Sequence, residues 1–247
     1  MIRVTGRPIL GLAAIVVTLA VPVCLTLVSI RLLMTNTYLS IEYHKPDFPP
    51  DDYGFTLDDR LHYGVYAVNY LTNSADISYL GNLTFPNGQS FFNSRELQHM
   101  ADVKRVTQTA LTAGWAVVAV LALLSLLMGR SAAGRAALRS GLFRGAALTL
   151  GLLVALAAGV LLAWDTFFTR FHELFFANGT WQFEYSDSLI RLYPERFWQD
   201  AALTIGGLSA VGALAILIGC TVWVRRAANT TRANPTVQTA QVKGISP

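Results

Sequence analysis

The chain has 247 residues, of which 53% are hydrophobic and only 14% charged, with a net charge of +4. Soluble domains carry roughly 25% charged residues, so an ordinary water-soluble fold is excluded as a first reading. The positive balance is not a nucleic-acid footprint either, because its sign changes from segment to segment along the chain.

Four apolar runs stand out, at residues 8–33, 106–128, 142–164 and 201–224. Each has about the 20 residues that an α-helix needs to cross a bilayer core. Helices are expected because lipid offers no partner to unpaired backbone groups. The first run follows Arg3 and Arg7 as a signal peptide would, but it is too long for one and reads as a retained anchor. The expected fold is therefore all-α: a four-helix transmembrane bundle with a small mixed extracytoplasmic domain.

Charge sets the orientation, since cytoplasmic segments are rich in Lys and Arg. The tail 1–7 has Arg3 and Arg7. The loop 129–141 and its border have Arg130, Arg135, Arg139 and Arg144, and the tail 225–247 has Arg225, Arg226, Arg232 and Lys243. None of these stretches holds an acid. All 15 acidic residues and all four histidines fall in 34–105 and 165–200. Those two segments are expected outside and both termini in the cytoplasm, the C-terminal tail disordered from its Ala, Asn, Thr and Gln content. The two cysteines, Cys24 and Cys220, lie within spans and read as small buried hydrophobes.

Within the spans, Pro22 is expected to kink the first. In the third, Ala147, Gly151, Ala155, Gly159 and Ala163 form a stripe of small residues suited to close helix packing. Gly206, Gly207, Gly212 and Gly219 are expected to do the same in the fourth. Arg31 near the outer end of the first span is a functional candidate by depth; snorkelling to the headgroups is the structural alternative.

The outer segment 34–105 opens with an irregular Pro- and Asp-rich stretch. A helix is expected over 57–71, with Leu61, Val65, Val68 and Leu71 along one side. A short strand within 77–85 and a turn at Pro86-Asn87-Gly88 follow. Asn93-Ser94-Arg95-Glu96 has the form of a capping box. A helix from Ser94 has no Gly or Pro before Gly114 and is expected to run unbroken into the second span. Glu96, His99 and Asp102 then share a face. The third span is expected to extend to about Ala177, with Asn178-Gly179 as its C-cap. Phe167, Phe168, Phe171, Phe175, Phe176 and Trp181 crowd around His172. Each ring alone reads as part of an interfacial aromatic belt.

His99 and His172 thus fall at matching depth on two helices. An imidazole of pKa about 6.5 suits general base work near neutrality, and Glu96 or Asp102 is placed to orient His99. The structural alternative is a pair of interfacial histidines without a role. His44 and His62 are less constrained. Metal spacing is absent: His172-Glu173-Leu174-Phe175-Phe176 begins like a zinc motif but lacks the second His. No cofactor is expected. Four spans without broken helix pairs give little transporter signal.

Three stretches resemble one bacterial membrane family. They are Asn93 to Lys104 (NSRELQHMADVK), Phe171 to Phe176 (FHELFF) and Asp187 to Trp198 (DSLIRLYPERFW), and Asp58-Asp59-Arg60-Leu61 fits as well. The family is that of the lipoprotein intramolecular transacylases. The resemblance implies a bacterial cell-membrane acyltransferase whose substrate is a lipoprotein with a diacylglyceryl group on its N-terminal Cys. It implies that an sn-2 acyl chain moves to the α-amino group of that Cys, giving a lyso-form lipoprotein. It further implies that two histidines form the catalytic pair, falling here on His99 and His172, with His99 as base and His172 as donor, or the reverse. Arg31 and Arg95 become candidate oxyanion or glyceryl contacts, and Phe168, Phe171, Phe175 and Phe176 an acyl-chain wall. Membrane lipids are the other expected partner, and no nucleic acid is. A non-enzymatic scaffold or sensor using the acidic outer domain, and a metal-dependent hydrolase, are the alternatives from other classes.

Overall fold

The computed structural model describes residues 6–176 and 179–232. The first residues of the N-terminal tail, the Ala177-Asn178 end of the proposed third-span cap, and the C-terminal tail from 233 lie outside the described residues. Among those described, nine helices follow in order: α1 Gly6–Leu33, α2 Asn36–Tyr43, α3 Leu57–Thr72, α4 Ser78–Gly81, α5 Ser94–Gly129, α6 Ala132–Leu162, α7 Trp164–Phe175, α8 Ser188–Leu192 and α9 Glu195–Arg232. Four of them, α1, α5, α6 and α9, are long and apolar enough to cross a membrane.

These four form the bundle. Their outward side chains are large and apolar: Leu12, Leu19, Trp115, Leu126, Val154, Leu162 and Val211 are each more than half exposed. Such a surface is stable only against lipid. The inner contacts are tight where glycine removes a side chain. A Cβ on Gly145 would lie 2.7 Å from Val21 Cβ, and one on Gly141 would lie 2.8 Å from the carbonyl oxygen of Ala14. A Cβ on Gly212 would meet Leu25 at 2.7 Å. Ser29 on α1 and Ser209 on α9 share a buried hydrogen bond of 3.1 Å.

The packing row in α6 differs from the expected stripe. Ala147, Gly151 and Ala155 are exposed, and Gly151 and Gly159 have nothing within 4 Å of a Cβ position. Gly141 and Gly145, one register away, make the approach to α1 instead. Spacing alone cannot say which of two small-residue rows faces a neighbour. In α9 likewise, Gly207 and Gly219 face open space. Pro22 lies within the continuous helix α1.

The stretch expected as a loop over 129–141 is mostly helix. Ser131 caps α6 by accepting the N–H of Gly134, and the Ala- and Arg-rich residues after it have high helix propensity. At the opposite end the expected break-free exit of the third span is interrupted. Ala163 leaves the helical region (φ −149°, ψ 53°) and the chain restarts as α7.

A compact cap, built from α2, α3, α4, α8 and the first turns of α5 and α9, sits at one end of the bundle. Its core is aromatic: Tyr43, Tyr63, Tyr70, Phe91, Phe92, Tyr193 and Phe197 pack with Leu39, Leu80, Met100, Leu189 and Leu192. Tyr63 and Phe91 stack with centroids 3.9 Å apart. The buried hydroxyls find carbonyl acceptors, Tyr43 at Leu192 (2.7 Å) and Tyr193 at Gly64 (2.6 Å), as burial of a polar group requires.

Two sequence expectations about the cap need correction. Helix α3 forms as expected, held by a Thr56–Asp59 capping box, but its buried line is Tyr63, Ala67 and Tyr70, while Leu61, Val65, Val68 and Leu71 pack around the edge. The segment expected as a strand contains helix α4, and among the described residues the only strand-like feature is a single bridge between Thr84 and Ser90. The turn between them does form, with Gly88 at φ 82° donating to the Phe85 carbonyl. A lone segment has no neighbour to share a ladder with, so the cap is helical and irregular.

Candidate active site

Helix α5 starts well before its apolar part. Asn93 accepts the N–H groups of Arg95 and Glu96, and Glu96 accepts the N–H of Asn93. This reciprocal cap fixes the first turn and projects His99 one turn later. Seven residues separate His99 from Val106, about 10 Å of helix rise. His172 comes from the last turn of α7, which begins at the end of the third apolar run.

The two imidazoles meet. Their ring centroids are 6.3 Å apart and their planes inclined by 24°. A sheath of aromatic rings surrounds them. Phe176 lies 4.9 Å from His99 and 5.7 Å from His172, Phe183 lies 5.3 Å from His99, and Phe168 and Trp181 lie 4.0 and 4.9 Å from His172. Phe171 touches His172 edge-on and continues to Phe175, and both of these rings are nearly half exposed.

Burial sets the protonation states. Desolvation above all, and the neighbouring His172, bring the His99 pKa down to about 4 against the opposing field of Asp102. Desolvation also lowers the His172 pKa, against the opposing pull of its hydrogen bond to the Phe168 carbonyl. Both rings are neutral near pH 7. That 2.7 Å bond is made by His172 Nδ1. A carbonyl oxygen only accepts, so Nδ1 carries the proton and Nε2 keeps a lone pair. His99 is 93% buried, and its Nδ1 has no protein hydrogen-bond partner. A buried polar atom without a partner is costly unless function uses it.

The expected supporting residues divide. Glu96 is fully buried, but its second oxygen accepts the N–H of Leu189 at 2.6 Å, so its carboxylate is spent on two backbone groups and not on His99. Asp102 pairs with Arg105 and accepts from Gln98; it reaches His99 only through its field. Arg95 donates to the Gln182 carbonyl at 3.2 Å, and Asn93 donates to Asp187 at 2.9 Å. Both therefore hold the segment that brings Trp181 and Phe183 onto the histidines. Arg31 is not brought to the pair. Its guanidinium donates to the Met34 carbonyl and lines a cavity of about 180 Å³ with Leu111, Gly114 and Trp115. Leu111 is twelve residues beyond His99, about 18 Å along α5.

His44 donates its Nδ1–H to the Ser40 carbonyl, and His62 packs on Tyr63 and Tyr66; neither touches the pair. Among the described residues no group of three or more His, Cys, Asp or Glu side chains is placed to hold a metal.

Residues that sequence reasoning missed build the frame. Arg191 pairs with Asp51 at 2.9 Å, both nearly buried, with its guanidinium 3.5 Å from the Phe55 ring centre. Burial, the largest single influence, raises the Asp51 carboxyl, but Arg191, the Phe55 N–H and the charge of Arg60 together outweigh it and hold Asp51 below the usual carboxylate range. Buried Arg60 donates to the carbonyls of Arg191 and Pro49. Ser188 donates to the Phe91 carbonyl. These contacts lock α8 against α3 and α5, and with it the Leu189 N–H that Glu96 accepts. Their one usable signal was that Arg60, Ser188 and Arg191 lie within the stretches that carry the family resemblance.

Four lipid-facing spans under a cap, with two neutral imidazoles in an aromatic sheath at the junction, define a membrane-integral enzyme that works on lipid-bearing substrates. A family model described as lipoprotein intramolecular transacylase Lit matches residues 15–198, and the chain belongs to that family, an acyltransferase family acting on lipoproteins. A relative from Aquifex aeolicus (strain VF5), known as an uncharacterized protein, is 27% identical over 191 residues, which are 76% of this chain and 84% of the relative. The membrane integral lipoprotein intramolecular transacylase Lit from Bacillus cereus, solved in meso, matches with a TM-score of 0.70 at 22% identity, over 92% of this chain and 100% of that one. A variant of the same protein with a histidine replaced by arginine matches at 0.71 and 20% identity, over 91% and 96%. At these identities the structural likeness establishes the fold.

Proposed function

We propose that the chain moves an acyl chain from the sn-2 oxygen of a lipoprotein's diacylglyceryl group to the α-amino group of the same N-terminal Cys, with His99 and His172 as the catalytic pair. The observation that carries this reading is the 6.3 Å pairing of two neutral imidazoles from separate helices inside a phenylalanine sheath. Donor ester and acceptor amine sit on one molecule, so holding them in register supplies much of the rate.

His172 is the better base. Its Nδ1–H is committed to the Phe168 carbonyl, so Nε2 is free to accept a proton from the attacking α-amino nitrogen. The α-amino nitrogen, in its neutral form, attacks the sn-2 ester carbonyl carbon, and as the C–N bond forms it passes one N–H proton to Nε2. His99, neutral at working pH, donates its N–H to the oxygen on which negative charge develops. The C–O bond then breaks, and the His172 imidazolium returns its proton to the departing sn-2 alkoxide. The products are the amide and a glyceryl hydroxyl, with no proton gained or lost by the enzyme. This ordering of roles reverses the first choice made from the sequence. Phe168, Phe171, Phe175 and Phe176 hold the acyl chains, Arg95 and Glu96 position the frame, and Asp102 tunes His99 by its field.

The segregation of all 15 acids from the basic tails and basic junction supports an orientation with both termini in the cytoplasm and the cap and histidines outside. The test is expression of the wild type and of His99→Ala and His172→Ala in a host that makes diacylglyceryl lipoproteins, with lipoprotein N-termini read by mass spectrometry. Lyso-form product is expected from the wild type and its loss from both variants. Undiminished product in both variants overturns the assignment.

A further inference from the structure

Helix α7 has an apolar face that the protein covers only in part. Among its residues none is buried. Around the helix, Trp164, Phe167, Phe168, Phe171, Leu174 and Phe175 fall on one side, and Asp165, Thr166, Thr169, Arg170 and Glu173 on the other. His172 falls on the boundary between the two. The apolar side is exposed toward its end, where Leu174 is 75%, Phe171 48% and Phe175 44% accessible, and half-buried at Trp164, Phe167 and Phe168. The polar side carries its own surface ion pair, Arg170 with Glu173.

This face continues a surface whose environment is known. The chain enters α7 from the lipid-crossing helix α6 through the break at Ala163. The last described side chains of α6 point outward, with Leu162 85% and Val154 74% exposed. The apolar side of α7 is therefore contiguous with the lipid-facing side of the bundle. From Trp164 to His172 is eight residues, about 12 Å of helix rise. His99 stands about 10 Å beyond the apolar part of α5 by the same measure. Both histidines therefore lie at matching distances past the apolar runs, on the headgroup side of the hydrocarbon, and α7 carries its apolar side from α6 to that level.

We infer that α7 is a membrane-contacting helix, hinged at Ala163, whose phenylalanine and leucine face is seated in the outer-leaflet interface and gives an acyl chain an unbroken apolar path from the bilayer up to the histidine pair. The partner of this face is the lipid surface itself. Amphipathic helices bind interfaces by this division of faces, and a rigid ring row desolvates a chain without costing much side-chain entropy. The position of His172 at the faces' boundary sets its imidazole where the ester of a lipid-anchored substrate leaves the hydrocarbon. The acyl-chain part of the inference rests on the proposed transfer reaction; the lipid contact does not.

The experiment uses full-length protein with Cys24→Ser and Cys220→Ser, reconstituted in vesicles of phosphatidylethanolamine and phosphatidylglycerol. Spin labels are placed one at a time at Leu174→Cys and Phe167→Cys on the apolar side, and at Thr169→Cys and Glu173→Cys on the polar side. Collision with oxygen, which concentrates in lipid, and with a water-soluble nickel complex is then measured. Labels at 167 and 174 are expected to gain oxygen collisions and lose nickel collisions, with the reverse at 169 and 173. Dominant nickel collisions at 174 place the face in water, and low collisions with both reagents place it against protein; either result overturns the inference. Because no substrate is present, failure here is distinguishable from failure of the transferase reading, which the alanine variants test.

Discussion

The Glu96 carboxylate on α5 accepts the backbone N–H of Leu189 on α8 at 2.6 Å while its other oxygen caps its own helix at Asn93, also at 2.6 Å. One buried side chain thus joins the helix that carries His99 to the segment that packs beneath it. Glu96→Ala leaves the buried Leu189 N–H unpaired, at about 1–3 kcal/mol, and removes the partner of the Asn93 N–H at the start of α5. The expected outcome is a clear drop in the thermal midpoint of the purified protein in detergent, with lost activity that follows the lost structure. Glu96→Gln keeps one acceptor oxygen and is expected to fall between the two.

Protonation of His99 couples stability to pH. Its folded pKa of about 4 lies below the ordinary 6.5, so the unfolded chain binds the extra proton. The stabilising contribution is complete above pH 6.5 and is lost as pH falls from there toward 4. Between pH 7 and pH 5 the loss is about 2 kcal/mol. Denaturant midpoints across this window are expected to fall in the wild type and to flatten in His99→Gln.

The same burial shapes the rate profile. The His172 pKa is lowered, by desolvation above all, and the base must be neutral to work. The acid limb of kcat/KM assigned to the enzyme is expected below pH 6.5. His172→Gln is expected to lower kcat by about 10²–10⁴-fold, the usual contribution of a positioned general base, and to abolish that limb. The α-amino group of the substrate contributes its own limb at about pH 7.7 in every variant; a limb below pH 6.5 that survives in His172→Gln assigns the base elsewhere.

Helix contact in the bundle predicts a contrast between two glycines of α6. Gly145→Leu drives a side chain into Val21 and the Thr18 carbonyl, which lie within 3 Å of a Cβ there. A cost of about 1–3 kcal/mol is expected for such overpacking. Gly151→Ala meets nothing within 4 Å and is expected to be neutral or to gain up to about 1 kcal/mol of helix propensity. Thermal midpoints of the two variants in detergent decide it, and equal effects would show the packing row misassigned.

A charge cluster ties α2 to α9. Lys45 lies 2.8 Å from Glu42 and 2.9 Å from Asp200, and Glu42 is fully buried. Burial pushes the Glu42 carboxyl up, and hydrogen bonding with Asp200 adds to this against the pull of Lys45. Lys45→Met leaves the buried Glu42 carboxyl without its cation beside Asp200, which keeps Arg196 at 3.0 Å, at about 2 kcal/mol after allowance for a lysine one-third exposed. Glu42→Gln in the same chain is expected to restore most of the loss, a coupling that a double-mutant cycle on unfolding free energy measures.

The sequence by itself determined the parts of this protein that local chemistry governs. Apolar length gave the four long helices, because lipid forces the backbone to bond within each segment. The Asn93–Glu96 box gave the start of α5 and its unbroken run, since a cap is satisfied within four residues. The resemblance carried by three short motifs gave the family, and with it the two histidines. The tertiary structure decided what depends on neighbours. It chose Gly141 and Gly145 over the evenly spaced row beginning at Ala147, because only the position of α1 says which row is opposed. It broke the third span at Ala163, where no Pro or Gly announced a break. It spent Glu96 on Leu189, set Arg31 far from the histidines, and framed the site with Asp51 and Arg191, because hydrogen bonds between segments 90 to 140 residues apart leave no periodic trace in the chain. The meeting of His99 with His172 is of this second kind: depth along each helix was legible, and contact across them was not.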